Sequence, residues 1–515
     1  MIKISKEKNI KLGTAISFIG VFVSLISHFL FTPFLLKTVG QSNYGIYSFV
    51  ANIAVWFTLA INSLSSSYIK FYSKYTKGEE KIEPTKINGI FNIILTIYSL
   101  IVLIIGAVLV ILIFNNIIFL NGYSTSQKDA ICIMLSISTL TNFLSIGLRG
   151  FTLNISYNSK FVWLRSLNVL VTVINSTVPI PFLLSGCGIL TISIVTSCSS
   201  IFVIILDIFY SLKFLNYRSS FKNLTWSKKI FSEILIFTGI ALVNEISVKI
   251  NASLDGVLLG FKAYDNEVAI YQLGFQLVTY AAIPVTLISQ NYSPTISDNI
   301  TNGNFDSNNK IFEKISFVQS VLWLMLVGGF ASCGKEFVSL WLGEGYENVY
   351  WITLILLIIE TITSTTTSAN TIEILSNKHL GRSLIVLGTT ITNLLISIVL
   401  INLFDRQYAI ICCLVGTCFS YFFGYWLAMN IYHKKSVNLP IGKYLINLLF
   451  IFLVSSVSFS ISYFGYQLIK LFTSISTFTS LLFKGSVFII IFLLFIFLIF
   501  RKKIIMYIKF REVRK

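Results

Sequence analysis

The sequence predicts an all-α polytopic membrane protein of about fourteen transmembrane helices, and three observations predict it. Of the 515 residues, 55% are hydrophobic and 12% charged, Phe alone occurs 45 times, and mean hydropathy is +0.81. A soluble fold of this size could not remove so much apolar surface from water. Apolar stretches of about 20 residues, enough to cross the hydrocarbon core as a helix, recur from end to end. Lys and Arg collect on alternate connecting segments, the pattern that orients membrane helices.

The apolar segments are 12–36, 45–68, 88–114, 130–148, 166–184, 189–212, 231–259, 269–293, 315–333, 351–375, 383–404, 408–431, 444–470 and 481–500. The first follows a basic start, MIKISKEKNIKLG, and is too long for a signal-peptide core and lacks an A-x-A end, so it reads as a spanning helix. The fifth and sixth are joined only by Ser185-Gly186-Cys187-Gly188.

With the N-terminus inside, 31 of the 39 Lys and Arg fall on inner segments. The outer segments hold only Lys37, Lys128, Lys262, Lys335 and Arg406, while Lys249, Lys470 and Lys484 lie within or at the ends of helices. This asymmetry places both termini in the cytoplasm and requires an even number of spans. Twelve is the count if the last two segments do not cross. Topology therefore accounts for the net charge of +18, and nucleic acid is not an expected partner.

The outer segments are short, the longest being the 17 residues from Gly334 to Tyr350, which leaves no room for an extracytoplasmic catalytic domain. No Walker GxxxxGK[ST], HExxH or nucleophile elbow occurs, so the chain is expected not to be an enzyme and not to draw intrinsically on ATP. Seven cysteines without a CxxC, mostly inside apolar segments, read as packing residues, and three histidines exclude a His-rich metal centre.

A repeat with an offset of 224 residues lays Phe34-Leu35-Leu36 and Ile46-Tyr47 over Leu258-Leu259-Gly260 and Ile270-Tyr271. It superposes helices one to six on seven to twelve, two parallel six-helix lobes related by an axis along the membrane normal. The implied organisation is an N-lobe at 1–212, a charged cytoplasmic linker at 213–229, a C-lobe at 230–432, and two further helices with a basic tail at 433–515.

Charges inside spans face a cavity or a partner, because burying them in lipid is costly. Helix seven carries Glu245, Lys249 and Asp255, with the first two on one helical face. They read as a hydrophilic lumen, in which Lys249 meets an anionic headgroup and Glu245 or Asp255 a coupling cation, or as an ion pair that helps packing. His28 in helix one could titrate near neutral pH or simply hydrogen-bond, and Pro33 either bends that helix for gating or marks its end. Helix ten runs from Glu360 through Thr-Ile-Thr-Ser-Thr-Thr-Thr-Ser-Ala-Asn, so its hydroxyls either line water or pack tightly. Arg149, Asp207 and Glu373 lie near inner helix ends, where snorkelling accounts for them, and Arg149 could also serve a cytoplasmic entrance.

The stretch Phe31-Thr32-Pro33-Phe34-Leu35-Leu36-Lys37-Thr38-Val39-Gly40, with Tyr44-Gly45-Ile46-Tyr47, resembles the first helix and turn of bacterial O-antigen and polysaccharide flippases. Asp255-Gly256-Val257-Leu258-Leu259-Gly260 with Ala269-Ile270-Tyr271, and Leu340-Trp341-Leu342-Gly343 with Tyr346, resemble later landmarks of the same family. That family lies in the multidrug/oligosaccharidyl-lipid/polysaccharide exporter superfamily. The resemblance spans roughly residues 10–430 and implies a cavity lined by helices one and seven. It implies alternating-access translocation of undecaprenyl-pyrophosphate-linked oligosaccharide to the periplasmic leaflet of the bacterial inner membrane. A polysaccharide polymerase and a chain-length regulator are the implied partners, and there is no cofactor beyond H⁺ or Na⁺ as coupling cation. His28 stands where related flippases often carry Arg or Lys. A multidrug exporter of the same superfamily and a membrane polymerase or ligase are the competing readings.

Overall fold

A computed structural model describes residues 6–77, 82–117, 120, 123–219, 228–262, 265–376, 378–471 and 476–512. Among them there is no strand, and eleven helices are long and apolar enough to cross a membrane. Their outward side chains are apolar: Leu403 is 73% exposed and Leu184 68%. Such a surface suits lipid rather than water, and the chain is a multi-pass membrane protein. It divides into two compact units, residues 1–269 and 270–515.

The first unit holds α1 (Lys6–Phe57), α2 (Ile61–Lys77), α3 (Pro84–Phe114), α4 (Thr125–Gly147), α5 (Arg149–Tyr157), α6 (Phe161–Thr177), α7 (Pro179–Leu184), α8 (Leu190–Leu215) and α9 (Lys228–Lys262). Helix one runs through Pro33 and kinks at Gly40, whose φ of 81° suits glycine and strains other residues. Proline does not end the helix. It only removes the N–H that would reach the Phe29 carbonyl. The predicted second helix is interrupted at residues 58–60, and the predicted fifth is broken at Val178, ahead of Pro179 and Pro181. Small residues let α9 lie close on α1: a Cβ on Gly256 would strike Asn52, and one on Gly260 the ring of Phe49.

The second unit holds most of α10 (Asp265–Thr301), then α11 (Phe305–Leu342), α12 (Glu347–Ile359), α13 (Thr361–Thr365), α14 (Thr367–Leu375), α15 (His379–Leu403), α16 (Ala409–Tyr421), α17 (Asn430–Val437), α18 (Ile441–Lys470) and α19 (Thr477–Glu512). A π-helical stretch, Phe422–Met429, joins α16 to α17. The predicted tenth helix is broken at Glu360 and again at Thr366.

The predicted outer segment 334–350 is mostly helix, because α11 continues to Leu342 and only Gly343 to Tyr346 connect it to α12. Glu336 explains the extension. Its carboxylate meets Lys484 of α19 at 2.5 Å and accepts from Ser480 at 3.2 Å, so a charge that ordinarily marks a loop is neutralised inside the bundle. The last two helices are built into this unit, with Ser455 bonded to the Leu324 carbonyl at 3.0 Å and Ser332 to Ser462 at 2.9 Å. Lys484→Ala leaves Glu336 buried and uncompensated, an expected loss of about 3 kcal/mol. The paired variant Glu336→Gln/Lys484→Met should recover most of it, read as thermal unfolding in detergent.

Candidate functional site

The break between α1 and α2 is the centre of the site. In a continuous helix the carbonyls of Phe57 and Thr58 would receive N–H groups four residues on. Here the hydroxyl of Tyr98 donates to the Phe57 carbonyl at 2.9 Å. The ammonium of Lys249 donates to the Thr58 carbonyl at 2.8 Å and to its hydroxyl at 3.0 Å. Glu245, one turn earlier on α9, accepts from Asn62 at 2.9 Å. Glu245 and Lys249 thus share a face, as their spacing implies, and each takes its own partner on the α1–α2 segment. Trp56 donates to Ser253 at 2.7 Å, and Ser253 in turn to the Lys249 carbonyl, fixing the register of α9 against α1.

A second cation belongs to the same neighbourhood. Arg149 begins α5, its Nε is buried with no hydrogen-bond partner, and its charge is felt by both Lys249 and Asp207. Asp207 is 2% exposed, and its two oxygens are taken by Thr152 at 2.7 Å and Trp163 at 2.9 Å. Snorkelling is therefore not the explanation for Asp207. The chain holds it inside the unit with neutral donors. A guanidinium stays ionised under all ordinary conditions and presents a planar fork suited to phosphate oxygens. Lys249 bonds directly to neutral oxygens of Thr58, while Glu245 acts on it, and Asp207 on Arg149, as the opposing charges of the neighbourhood.

Asp255 is buried on α9 beside Gly256 and the α1 contact. His28 is exposed on α1, with Nδ1 against the Ser24 carbonyl at 2.7 Å. In the second unit, Glu360 accepts from Tyr421 at 3.0 Å and from Thr363. Thr361, Ser364, Thr365, Thr366 and Ser368 are buried, and Thr365 pairs with Tyr444 at 2.6 Å. These hydroxyls pack against protein, the second of the two readings their sequence allows. Among the described residues no group of three or more His, Cys, Asp or Glu could hold a metal.

Sequence reasoning missed Asp265, which sits at the start of α10. It accepts from Ser42 and, at 2.6 Å, from Gln127, which also caps α4. The signal was available: an Asp opening an apolar run is a helix-start residue free to serve a neighbour.

No protein-family profile matches the chain, and no curated protein sequence matches it. Solved structures do match. A structure of the lipid II flippase MurJ in an inward closed conformation aligns at TM-score 0.69 and 18% identity, over 96% of this chain and 99% of that one. The MATE multidrug transporter DinF-BH aligns at TM-score 0.59 and 15% identity, over 83% and 96%. A MOP-superfamily transporter from Pyrococcus furiosus aligns at 0.53 and 12%, over 84% and 97%. At these identities the likeness is one of fold: the chain has the fold of the MOP-superfamily transporters.

Proposed function

We propose that the protein is a flippase. It carries an undecaprenyl-pyrophosphate-linked oligosaccharide from the cytoplasmic to the outer leaflet of a bacterial cytoplasmic membrane by alternating access, for surface polysaccharide assembly. It is a transporter rather than an enzyme, with fourteen spans and both termini cytoplasmic. The observation that carries this reading is the cation pair, with the buried Nε of Arg149 lacking a partner while Lys249 rests on neutral oxygens. A pyrophosphate brings a full opposite charge that the Thr58 carbonyl and hydroxyl lack, which favours it over the acceptors now in place. The reach of the MurJ likeness, 96% of this chain against 83% for DinF-BH, also favours a lipid-linked cargo over a drug. A monovalent cation, H⁺ or Na⁺, supplies the energy.

The multidrug-exporter reading rests on the MATE-type likeness. An organic cation would meet Arg149 and Lys249 here, with Glu245 as the carboxylate beside Lys249. A deletion strain separates the readings. Loss of surface polysaccharide, with single lipid-linked units held at the cytoplasmic leaflet, is the expected result. Single units accumulating at the outer leaflet would indicate a polymerase, and unchanged polysaccharide with altered drug efflux would indicate a drug exporter.

A further inference from the structure

The second unit buries a titratable pair that the cargo site does not use. Glu373 of α14 and His433 of α17 are each 0% exposed, and the His433 Nδ1 lies 2.8 Å from Glu373 Oε1. Ser436 donates to the same oxygen at 3.0 Å. Their other edges, Glu373 Oε2 and His433 Nε2, are buried and have no hydrogen-bond partner. Snorkelling, the sequence expectation for Glu373, does not occur.

The charges around the pair fix its state. On α15, Arg382 donates to Asn370 at 2.9 Å and acts electrostatically on Glu373. Tyr425 of the π-helical stretch faces Arg382, and Tyr432 of α17 acts on Glu373. Lys378, between α14 and α15, is exposed and bonds to the Ser436 carbonyl, and Lys434 and Lys435 of α17 are exposed. On α11, Lys310 and Lys314 accompany Glu313, which pairs with Lys443 of α18 at 3.2 Å. With Arg382 permanently positive, an ionised Glu373 and a neutral His433 make the trio neutral, its carboxylate and imidazole buried. An ionised carboxylate only accepts, so the imidazole proton sits on Nδ1. Nε2 is then a bare lone pair, buried and unoccupied.

From this geometry we propose that His433, held by Glu373 and balanced by Arg382, is a proton-binding site in the C-terminal unit, with the proton adding at Nε2. Imidazole is the side chain whose charge ordinarily changes between pH 5 and 8. Binding one proton takes the trio from neutral to a single positive charge, which the carboxylate opposite stabilises. Ser436 bonds to the pair, Lys378 to the Ser436 carbonyl, and Tyr432 to the Lys378 carbonyl. Use of this proton for coupling rests on the transporter reading, but the binding itself does not.

The chain has three histidines, His28, His379 and His433, so ring-¹⁵N histidine NMR of the full-length protein in micelles resolves each. His433→Gln assigns the signal, and His28→Gln with His379→Gln assigns it by elimination if that variant fails to fold. The expected result is that Nε2 of His433 gains a proton as pH falls from 8 to 5, and that Glu373→Gln moves this change to lower pH. A single protonation state of His433 across that range, or a titration unmoved by Glu373→Gln, would overturn the proposal. Neither outcome depends on which cargo is carried.

Discussion

Gly45→Val is expected to prevent assembly of the N-terminal unit. A Cβ at Gly45 would strike the backbone carbonyl of Asp265 and approach the backbone nitrogen of Ala269 at 3.4 Å. Side-chain clashes can be relieved by changing rotamer, but a backbone oxygen at the start of a helix can move only with the helix. Overpacking a core typically costs about 1–3 kcal/mol. Here the expected loss exceeds about 3 kcal/mol, because α10 must shift and the Asp265 bonds to Ser42 and Gln127 go with it. The check is yield and thermal unfolding in detergent, with Gly388→Ala as control. Gly388 has open space around it on α15, so Ala there should be neutral or raise stability by up to about 1 kcal/mol. A folded Gly45→Val protein with unchanged melting temperature would mean that this close approach is not required.

Lys249→Glu is expected to abolish export of the lipid-linked cargo, and Lys249→Ala to reduce it at least about tenfold, the loss of one charge-assisted hydrogen bond of roughly 1.5–3 kcal/mol. Reversal is the stronger test because it places a carboxylate where the proposed headgroup would sit and adds repulsion to the lost attraction. Arg149→Lys should keep part of the activity, since it retains charge and loses the planar fork, whereas Arg149→Ala should behave like Lys249→Ala. The readout is the fraction of undecaprenyl-linked units accessible at the outer leaflet, normalised to protein in the membrane. Full export by Lys249→Glu would remove the headgroup role and favour a cargo that is not anionic.

Composition and run length made the helical membrane fold legible, because the bilayer imposes one length and one polarity on every crossing. Helix interruptions were less legible. Pro179 and Pro181 announce the break after Val178, but nothing local marks residues 58–60, where the partners are Tyr98 and Lys249, distant in sequence. Burial of charge was the least legible feature. Glu336, Glu373 and Asp207 each sit where a single sequence suggests a loop or an interface. What keeps each inside is a partner on another helix: Lys484, His433 and Trp163. Lys249 and Arg149 could be picked out from the rarity of charge in lipid, but the company each keeps could not.

On the flippase reading, the attachment of Lys249 to Thr58 ties occupancy of the site to helix shape. The Thr58 carbonyl accepts from the Ile61 N–H at 3.2 Å, a tightened three-residue turn, while the ammonium fills its other lone pair. An anion that recruits the ammonium would vacate that lone pair, and the donor a straight helix would use to refill it is the N–H of Asn62. Asn62 is also the residue that holds Glu245. The arriving charge therefore does not need to push on anything. On the same flippase reading, by changing which donor a single carbonyl prefers it would alter the energetic balance between a bent and a straightened rod, and a local exchange of protons' partners would become a movement of the segment beyond it.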